Sequence, residues 1–433
     1  MMDLLNPVRW FKNRSFRNFL SLSFIQGSNM LVGILATPMI FGAVGEEQFG
    51  LITLALSIVM LLNVFVSYGY HMSGPRKVAL DSKDSLKLSG LFSTILFSKS
   101  VLAFFCIGVI GLLIFYFGAF SNYSLILLFS LPLVLSEVVF PLWLLQGLER
   151  MKMLSIGNLI AKVIYVLLLY FFVQKIEDGY KVNFLLGVSA LAVNIFLIIL
   201  IRRKWKINLT LVKTKYVVQS IKENGYLFFS SLAGHISVNS GVIILSNIVT
   251  DSALGVYSLA QKVPFLVRML PILVAQSMLP KASRLYRDDK NAFITSIANA
   301  YRLTLIISLL VSVVTLIFSN HIIHFLSAGT NTEAIEILNV MSFIPFLSAL
   351  NIGNMLLVLS SDSKKLLFTS TWISTLVMLF LGVIGSYLFG VLGMSYALLL
   401  TELLTFLIQT FVNYRGMFQE TSSFYRRCLK MSF

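Results

Sequence analysis

Eight charged side chains lie within stretches of sequence that are otherwise apolar and long enough to cross a membrane. The basic ones are Lys99, Lys162, Lys262, Arg268 and Arg302, and the acidic ones are Glu137, Glu402 and, near a membrane face, Glu336. A charge within a bilayer costs roughly 2.5–3.5 kcal/mol per residue on insertion scales. Such residues face a bundle interior, pair with one another or line a water-filled path. They are therefore the first candidates for binding and moving a charged solute.

Four of the basic residues predict a cationic cavity for an anionic substrate, such as a pyrophosphate head group. These candidate substrate-binding residues are Lys99, Lys162, Lys262 and Arg268. Each lies about 12 Å or deeper from the end of its apolar run, at a rise of about 1.5 Å per residue. Arg302 is only about 8 Å deep and is predicted to anchor its helix at the cytoplasmic face. The alternative for the deep residues is internal pairing, for which Glu137 and Glu402 are the natural partners.

Glu137 and Glu402 are also candidates for ion coupling, because intramembrane carboxylates commonly carry protons or bind cations. Their alternative role is as charge partners of the basic residues. Lys262 and Arg268 are six residues apart, which places them about 120° apart on an ideal helix. They would share one cavity only if the helix bends, and Pro264 between them predicts such a bend.

Further polar residues lie in the first and seventh apolar runs. They are Gln26, Ser28, Asn29, His235, Ser237, Asn239, Ser240 and Asn247. They would line a central cavity or hydrogen-bond between helices, and both interpretations stay open. His321 and His324 have only Glu333 and Glu336 near them in sequence, so no metal site is predicted. The sequence has no GxxxxGK[ST] phosphate loop and no supported catalytic triad, so we expect neither a cofactor nor enzymatic activity.

The composition excludes a soluble protein. Of the 433 residues 57% are hydrophobic and 12% are charged, whereas soluble domains have about 25% charged residues. The mean hydropathy of +0.87 points the same way. The two cysteines make neither a disulfide framework nor a thiolate metal site.

Twelve apolar runs have the length of about 20 residues that crosses a bilayer. Their approximate bounds are 18–42, 50–70, 90–117, 124–146, 154–174, 183–201, 225–249, 253–279, 297–319, 335–359, 368–388 and 393–413. Prolines interrupt the fourth and eighth runs and predict kinked helices there. The sequence thus predicts an all-α integral membrane protein.

The distribution of basic residues predicts the topology. With the N-terminus in the cytoplasm, 27 of the 34 Lys and Arg residues fall in inside segments and 2 in outside segments. This is a strong positive-inside signal. It predicts a multi-pass protein of the bacterial cytoplasmic membrane with both termini in the cytoplasm. It also explains the net charge of +16 without nucleic acid as a partner.

Two short matches at one offset indicate an internal duplication. GLITLA at 50–55 aligns with GVYSLA at 255–260, and Pro75-Arg76 aligns with Pro280-Lys281. Six spans per half make the repeats parallel, which predicts two six-helix halves around a central cavity. The predicted parts are the N-terminal half 1–201, a basic cytoplasmic linker 202–224, the C-terminal half 225–413 and a cytoplasmic tail 414–433.

Two motifs carry a resemblance to a known family. PLWLLQGLERM at 141–151 and VGEEQFGL at 44–51 resemble the bacterial polysaccharide and O-antigen repeat-unit flippases, which belong to the superfamily of the multidrug MATE pumps. The residues concerned are Gly45, Gly50, Pro141, Trp143, Gln146 and Gly147. For those of the longer motif we favour a structural role over substrate contact: Pro141 and Gly147 would end a helix, and Trp143 would lie in the interfacial aromatic belt.

The resemblance implies a flippase. Such a protein moves an undecaprenyl-pyrophosphate-linked oligosaccharide from the cytoplasmic to the periplasmic leaflet by alternating access. The expected partners are this lipid-linked substrate, membrane lipids and other polysaccharide-assembly proteins. One alternative is a MATE-like drug or cation antiporter, although the first span lacks the acidic residue typical of proton-coupled MATE pumps. Another is a membrane polysaccharide polymerase or acyltransferase, although a polymerase of this pathway is expected to have a large periplasmic loop.

Overall fold

The computed structural model describes residues 14–82, 84–361 and 363–429. Within these ranges the chain is helical with short connections and contains no β-strand. The predicted cytoplasmic residues before Arg14, with Arg9 and Lys12, lie outside the described residues, as do the last four residues of the tail. The chain divides into two compact units between His235 and Ile236, here called the first and the second unit.

The helices of the first unit are α1 (Arg14–Ser67), α2 (Tyr70–Asp81), α3 (Ser85–Phe115), α4 (Ser124–Ser130), α5 (Pro132–Val139), α6 (Leu142–Gly147), α7 (Met151–Phe172) and α8 (Gly179–Trp205). Helix α9 (Thr214–Leu245) contains the boundary between the units. The second unit continues with α10 (Asp251–Ala260), α11 (Lys262–Val267), α12 (Met269–Asp288), α13 (Lys290–Ile317), α14 (Ser319–Ser327), α15 (Thr332–Met341), α16 (Ile344–Ala349), α17 (Ile352–Ser360), α18 (Lys364–Gly416) and α19 (Phe418–Leu429).

Ten helical segments of the described residues are long and apolar enough to cross a membrane, and two of them are 58 and 52 residues long. A straight helix of 58 residues would measure about 87 Å, roughly three times the hydrocarbon thickness. Both long segments are bent, at Gly45 (φ 76°) and Gly390 (φ 57°). Each therefore supplies two spans, and the described chain has the twelve predicted spans.

The bends reverse the direction of the chain. The rings of Phe41 and Phe49 are 5.3 Å apart, although eight residues of straight helix would separate them by about 12 Å. Near the second bend, a Cβ atom on Gly393 would collide with the Gly385 carbonyl oxygen, so the two backbones touch. Positive φ angles favour glycine because it has no Cβ atom. Both glycines lie in predicted loops, between spans one and two and between spans eleven and twelve.

Prolines divide the fourth and eighth spans as predicted. The fourth span consists of α4, α5 and α6, with Pro132 starting α5 and Pro141 preceding α6. The eighth span consists of α10, α11 and the start of α12, with Pro264 and Pro271 inside the last two helices. These breaks leave short helices whose ends lie within the membrane, next to the charged residues described below.

The predicted linker 202–224 is mostly helical. Helix α8 runs to Trp205 and α9 begins at Thr214, so only residues 206–213 are not helical. The backbone N–H of Asn208 donates to Ser89 Oγ at 3.0 Å. Farther along, the hydroxyls of Tyr70 and Ser220 are 2.9 Å apart. These contacts fasten the segment to the first unit.

The predicted C-terminal tail contains an amphipathic helix that is packed against the second unit. Helix α19 contacts α13, α17 and α18. The side chain of Phe424 is fully buried beside Tyr301 and over Gly353, where a Cβ atom would collide with its ring. On the surface, the ammonium group of Lys290 lies 2.5 Å from the carboxylate of Glu420.

Candidate functional site: two buried ion pairs

The first unit contains a buried ion pair between spans three and four. Lys99 on α3 donates from Nζ to Oε1 of Glu137 on α5, at 3.0 Å. The Lys99 side chain is 2% exposed and the Glu137 side chain is 19% exposed. Helix α5 is held in place by Asn194 on α8, whose amide donates to Ser136 Oγ at 3.1 Å. The structure therefore brings together two predicted residues from different helices.

Glu137 borders two cavities. One, of about 220 Å³, is also lined by Lys99, His71 and His235. The other, of about 160 Å³, is also lined by Lys162 and by the amides of Asn158 and Asn194. Asn63 lines both. The ion pair thus lies at the centre of a polar, mainly basic region within apolar helices.

His71 is a member of this group that the sequence analysis missed. Its Nδ1 lies 3.4 Å from Ser67 Oγ, near the turn where α1 ends and α2 begins. Tyr68 and Gly69 have positive φ angles at this turn. Because the apolar pattern predicts that the second span ends at residue 70, it places His71 in a cytoplasmic loop. The apolar pattern did not predict helix α2, which contains His71 and continues to Asp81.

Residues of the longer family motif, on α6, pack against α2. Trp143 is buried, with its ring 6.1 Å from that of Phe92. The prediction that Trp143 lies in the interfacial aromatic belt is therefore wrong, because the side chain fills the space between helices instead. Gly147 lies so close to Val78 and the Pro75 carbonyl oxygen that a Cβ atom would not fit.

The other motif residues are placed as follows. Pro141 and Gly50 are buried, Gly45 makes the first bend, and Gln146 is exposed. Trp143 and Gly147 thus make packing contacts, and the preferred structural role of the motif over substrate contact stays a prediction. No contact explains Gln146.

The second unit contains a different ion pair. Arg268 Nη2 lies 2.5 Å from Glu402 Oε1, and Arg268 Nε donates to Ser348 Oγ at 3.2 Å. Arg268 is the residue between α11 and α12, and Glu402 lies on α18 after its bend. The side chains are 23% and 10% exposed, respectively.

The pair of the second unit lines a cavity of about 240 Å³. The other polar groups of this lining include the amides of Asn351, Asn354, Gln409 and Asn413. Lys262, the first residue of α11, is not part of the described lining. The proline bend therefore does not bring Lys262 and Arg268 into this one cavity.

Other predicted residues have mainly structural contacts. Arg302 donates from Nη2 to the carbonyl oxygens of Arg427 and Cys428, at the end of α19. The guanidinium therefore holds the C-terminal helix, and its role as an anchor at the cytoplasmic face stays a prediction. In the first span, Ser28 and Asn29 both accept hydrogen bonds from the Asn158 amide at 3.2 Å. These two residues therefore hydrogen-bond between helices, one of the two roles considered for them.

Of the remaining polar residues of spans one and seven, some make contacts within the second unit and the others keep their predicted roles. Asn247 donates to the Ile243 carbonyl oxygen within its own helix, and Ser240 lies 3.1 Å from the Met378 sulfur. Gln26, Ser237 and Asn239 stay predictions for a cavity lining. Across the described residues, no group of three or more His, Cys, Asp or Glu side chains could hold a metal ion, His321 and His324 included.

The structure defines a class by its fold, namely a multi-pass helical membrane protein with the architecture of the MATE transporters. The structure is similar to that of the MATE multidrug transporter DinF-BH, with a TM-score of 0.68, 17% sequence identity and 96% coverage of each chain. MATE transporters have twelve helices in two repeats. The predicted fold class is therefore confirmed.

Sequence comparison narrows the class. A family model described as "Polysaccharide biosynthesis protein" matches residues 15–286, and the chain belongs to this family. The chain is 25% identical over 403 residues to a protein of Escherichia coli (strain K12) named as an O-antigen transporter, covering 92% of this chain and 96% of the relative. A relative of the same name from Shigella dysenteriae is 27% identical over 275 residues, covering 62% and 67% of the two chains. The relatives are transporters, which confirms the prediction that the chain is not an enzyme.

Proposed function

We propose that the protein is a flippase for a lipid-linked oligosaccharide. The substrate would be an undecaprenyl-pyrophosphate-linked repeat unit of an O-antigen or capsule, moved from the cytoplasmic to the periplasmic leaflet. The observation that carries the proposal is the placement of ion-paired basic residues in polar cavities of both units. A transporter of neutral or cationic solutes has no use for such an excess of deep positive charge.

The charge of the deep residues fits a diphosphate group. Each unit carries two deep basic residues and one carboxylate, which gives a net positive charge in each. The first set is Lys99, Lys162 and Glu137, and the second set is Lys262, Arg268 and Glu402. Within low-dielectric surroundings, such charges attract a phosphate group far more strongly than they would in water.

The neutral polar groups suit the sugar part of the substrate. Asparagine and glutamine side chains both donate and accept hydrogen bonds, and saccharide hydroxyls do the same. Four such amides line the cavity beside Arg268. The polyprenyl chain would stay in the lipid, because moving it into a polar cavity would cost about 0.8 kcal/mol per CH₂ group.

The proposed cycle is alternating access in the bacterial cytoplasmic membrane, with both termini in the cytoplasm. The positive-inside distribution supports this orientation. Glu137 and Glu402 stay candidates for coupling the cycle to an ion gradient. Membrane lipids surround the helices, and other polysaccharide-assembly proteins are proposed as the enzymes that supply and consume the substrate.

The direct test is transport in proteoliposomes. A short polyprenyl-pyrophosphate oligosaccharide is placed in one leaflet, and its appearance in the other is measured with and without a pH or sodium gradient. We expect movement by the wild type and a loss of at least about tenfold for Arg268→Glu, since close buried charge pairs couple by more than 1.4 kcal/mol. The matched control is Arg284→Glu, because Arg284 is an exposed arginine of the same helix α12.

Two results would contradict the proposal. One is the absence of movement under every gradient by folded protein. The other is full transport by Arg268→Glu at normal expression, which would remove the cationic path. In either case, drug or cation efflux by the same proteoliposomes is the next measurement, because the MATE fold also serves that function.

A further inference from the structure

Glu137 is close to two basic side chains. Its carboxylate accepts a hydrogen bond from Lys99, and Glu137 lines a cavity together with Lys162. Within the described chain, Lys162 makes no ion pair, although it lies about 12 Å deep in its span. Glu137 therefore holds one base while a second base faces the same space.

Lys99 needs a counter-ion because it is almost fully buried. Its side chain is 2% exposed, and leaving a buried charge unpaired is strongly destabilising. The Lys99 ammonium group has three N–H donors, but a second anion beside Glu137 would be repelled by the carboxylate charge at hydrogen-bond distance. An incoming anion therefore binds Lys99 more favourably when Glu137 moves away.

Glu137 has the freedom to give up its place. Its side chain is 19% exposed, and the two cavities of about 220 and 160 Å³ lie on either side of it. In the smaller cavity, Lys162 offers a new partner, and the amide of Asn63 lines the same space. The carboxylate would thus exchange one ammonium group for another instead of becoming unpaired.

We propose that Glu137 is an internal counter-ion that an anionic group of the substrate displaces from Lys99. Phosphoryl oxygens bind the Lys99 ammonium group, and the Glu137 carboxylate turns to Lys162. No covalent bond forms or breaks, and after the exchange Lys99, Glu137 and Lys162 each have a partner of opposite charge. Lys99 then contacts the substrate, Glu137 determines specificity, and Lys162 is a positioning residue.

This exchange explains how the site would select its substrate. A diphosphate carries more charge than a carboxylate and competes successfully for Lys99, whereas a neutral or cationic solute cannot displace Glu137. Selection by a competing internal group is a form of discrimination against wrong ligands. The inference rests on the proposed function, because it takes the substrate to be anionic.

The test measures binding of inorganic pyrophosphate to the purified full-length protein, by calorimetry and by the pyrophosphate-dependent rise in melting temperature. Glu137→Gln removes the competing charge, so we expect binding at least about tenfold tighter than in the wild type. Lys162→Met removes the alternative partner, so we expect binding about tenfold weaker. In the Glu137→Gln background, Lys162→Met should have almost no effect on pyrophosphate binding, because no displaced carboxylate remains for Lys162 to pair with.

The matched control is Asp178→Asn, which removes the carboxylate of an ion pair of the same type, 2.6 Å from Lys181, at the start of α8. It should not change pyrophosphate binding. Equal effects of Lys162→Met in both backgrounds would overturn the exchange and indicate direct contact of Lys162 with the anion. Unchanged affinity in Lys162→Met alone would also overturn it, even if Glu137→Gln does not fold.

The two proposals fail in different ways. If neither the wild type nor Glu137→Gln binds pyrophosphate, the anionic substrate class is contradicted, and the inference falls with it. If the wild type binds pyrophosphate but Glu137→Gln binds no more tightly, only the counter-ion role is contradicted.

Discussion

The two units bury opposite members of their ion pairs. In the first unit the base is the buried member, with Lys99 at 2% and Glu137 at 19% exposure. In the second unit the carboxylate is the more buried member, with Glu402 at 10% and Arg268 at 23% exposure. Of its ion pair, the first unit exposes mainly the carboxylate, and the second exposes mainly the guanidinium. Two halves of one duplicated fold can therefore hold the same kind of ion pair and expose opposite members of it.

The charged residues of the two ion pairs also occupy different positions of the internal repeat. At the offset that aligns GLITLA with GVYSLA, Arg268 corresponds to Asn63 and Lys262 corresponds to Ser57. Asn63 lines both cavities beside Glu137. The first unit therefore has a neutral amide where the second has its arginine, and its basic residue Lys99 lies on the next span. Each unit therefore has a polar centre, but the charged residues in these centres do not correspond in the repeat.

The largest effect is expected from breaking the pair of the first unit. Glu137→Gln leaves Lys99 buried without its counter-ion, which should destabilise the protein by about 3–5 kcal/mol. Lys99→Met should cost less, because the remaining Glu137 is partly exposed and borders Lys162. The measurement is thermal or denaturant unfolding in detergent, compared for the two variants and the wild type.

The double variant Lys99→Met/Glu137→Gln is the control for this prediction. It removes both charges and should recover most of the stability lost in Glu137→Gln, because no unpaired buried charge remains. If Lys99→Met is the more harmful single change, the difference in burial does not determine the energetics. Pyrophosphate should raise the melting temperature of Glu137→Gln more than that of the wild type, since it can replace the missing charge.

The second unit should show the reverse order. Arg268→Met leaves the buried Glu402 carboxylate unpaired and should lower the stability by about 2–3 kcal/mol. This is less than the cost of Glu137→Gln in the first unit, because a carboxylate can take up a proton. Glu402→Gln should cost less than Arg268→Met, since Arg268 is more exposed and keeps its bond to Ser348. The same unfolding measurement applies. Equal losses of stability for the two variants would show that the difference in burial does not determine the energetics of the second pair.

The sequence predicted the spans and the deep charges because both are local properties. Apolar length identifies a span wherever it occurs, and Gly45 and Gly390 lie in the interruptions that the apolar pattern leaves. The partners of the charges could not be predicted in the same way. Lys99 and Glu137 are 38 residues apart, and only the packing of α3 beside α5 brings them together.

Two errors have the same origin. Hydropathy alone places His71 and Trp143 at membrane edges, because it shows only where an apolar run ends. In the structure α2 continues to Asp81, and α6 packs against it with the indole ring between helices. The C-terminal helix α19 was predicted only as a tail, since twelve residues with alternating polar and apolar faces give no spanning signal. Its position depends on Phe424 fitting over Gly353, a contact between distant parts of the sequence.

The smallest effect is expected at an exposed ion pair of the second unit, which contrasts with the buried pair. Lys290 is 60% exposed and bonds to Glu420 on α19. This hydrogen bond lowers the pKa of Glu420 below its usual value. A lowered carboxyl pKa stabilises the folded state above the pKa of the unfolded chain, and the stabilisation is lost as the pH falls through the folded pKa. Lys290 is largely solvated, although Glu420 is only 14% exposed, so the pair should contribute less than about 1 kcal/mol.

The measurement that checks this is hydrogen exchange of the α19 amides as the pH is lowered, after correction for the intrinsic exchange rate. Protection should be constant near neutral pH and should decrease below about pH 4.5, the ordinary range of a glutamate carboxyl. Glu420→Gln should remove this decrease and lower protection slightly at neutral pH. A variant that keeps the full acid-dependent loss would assign it to other carboxyl groups. Since Arg302 and Phe424 still hold the helix, α19 should stay docked in every case.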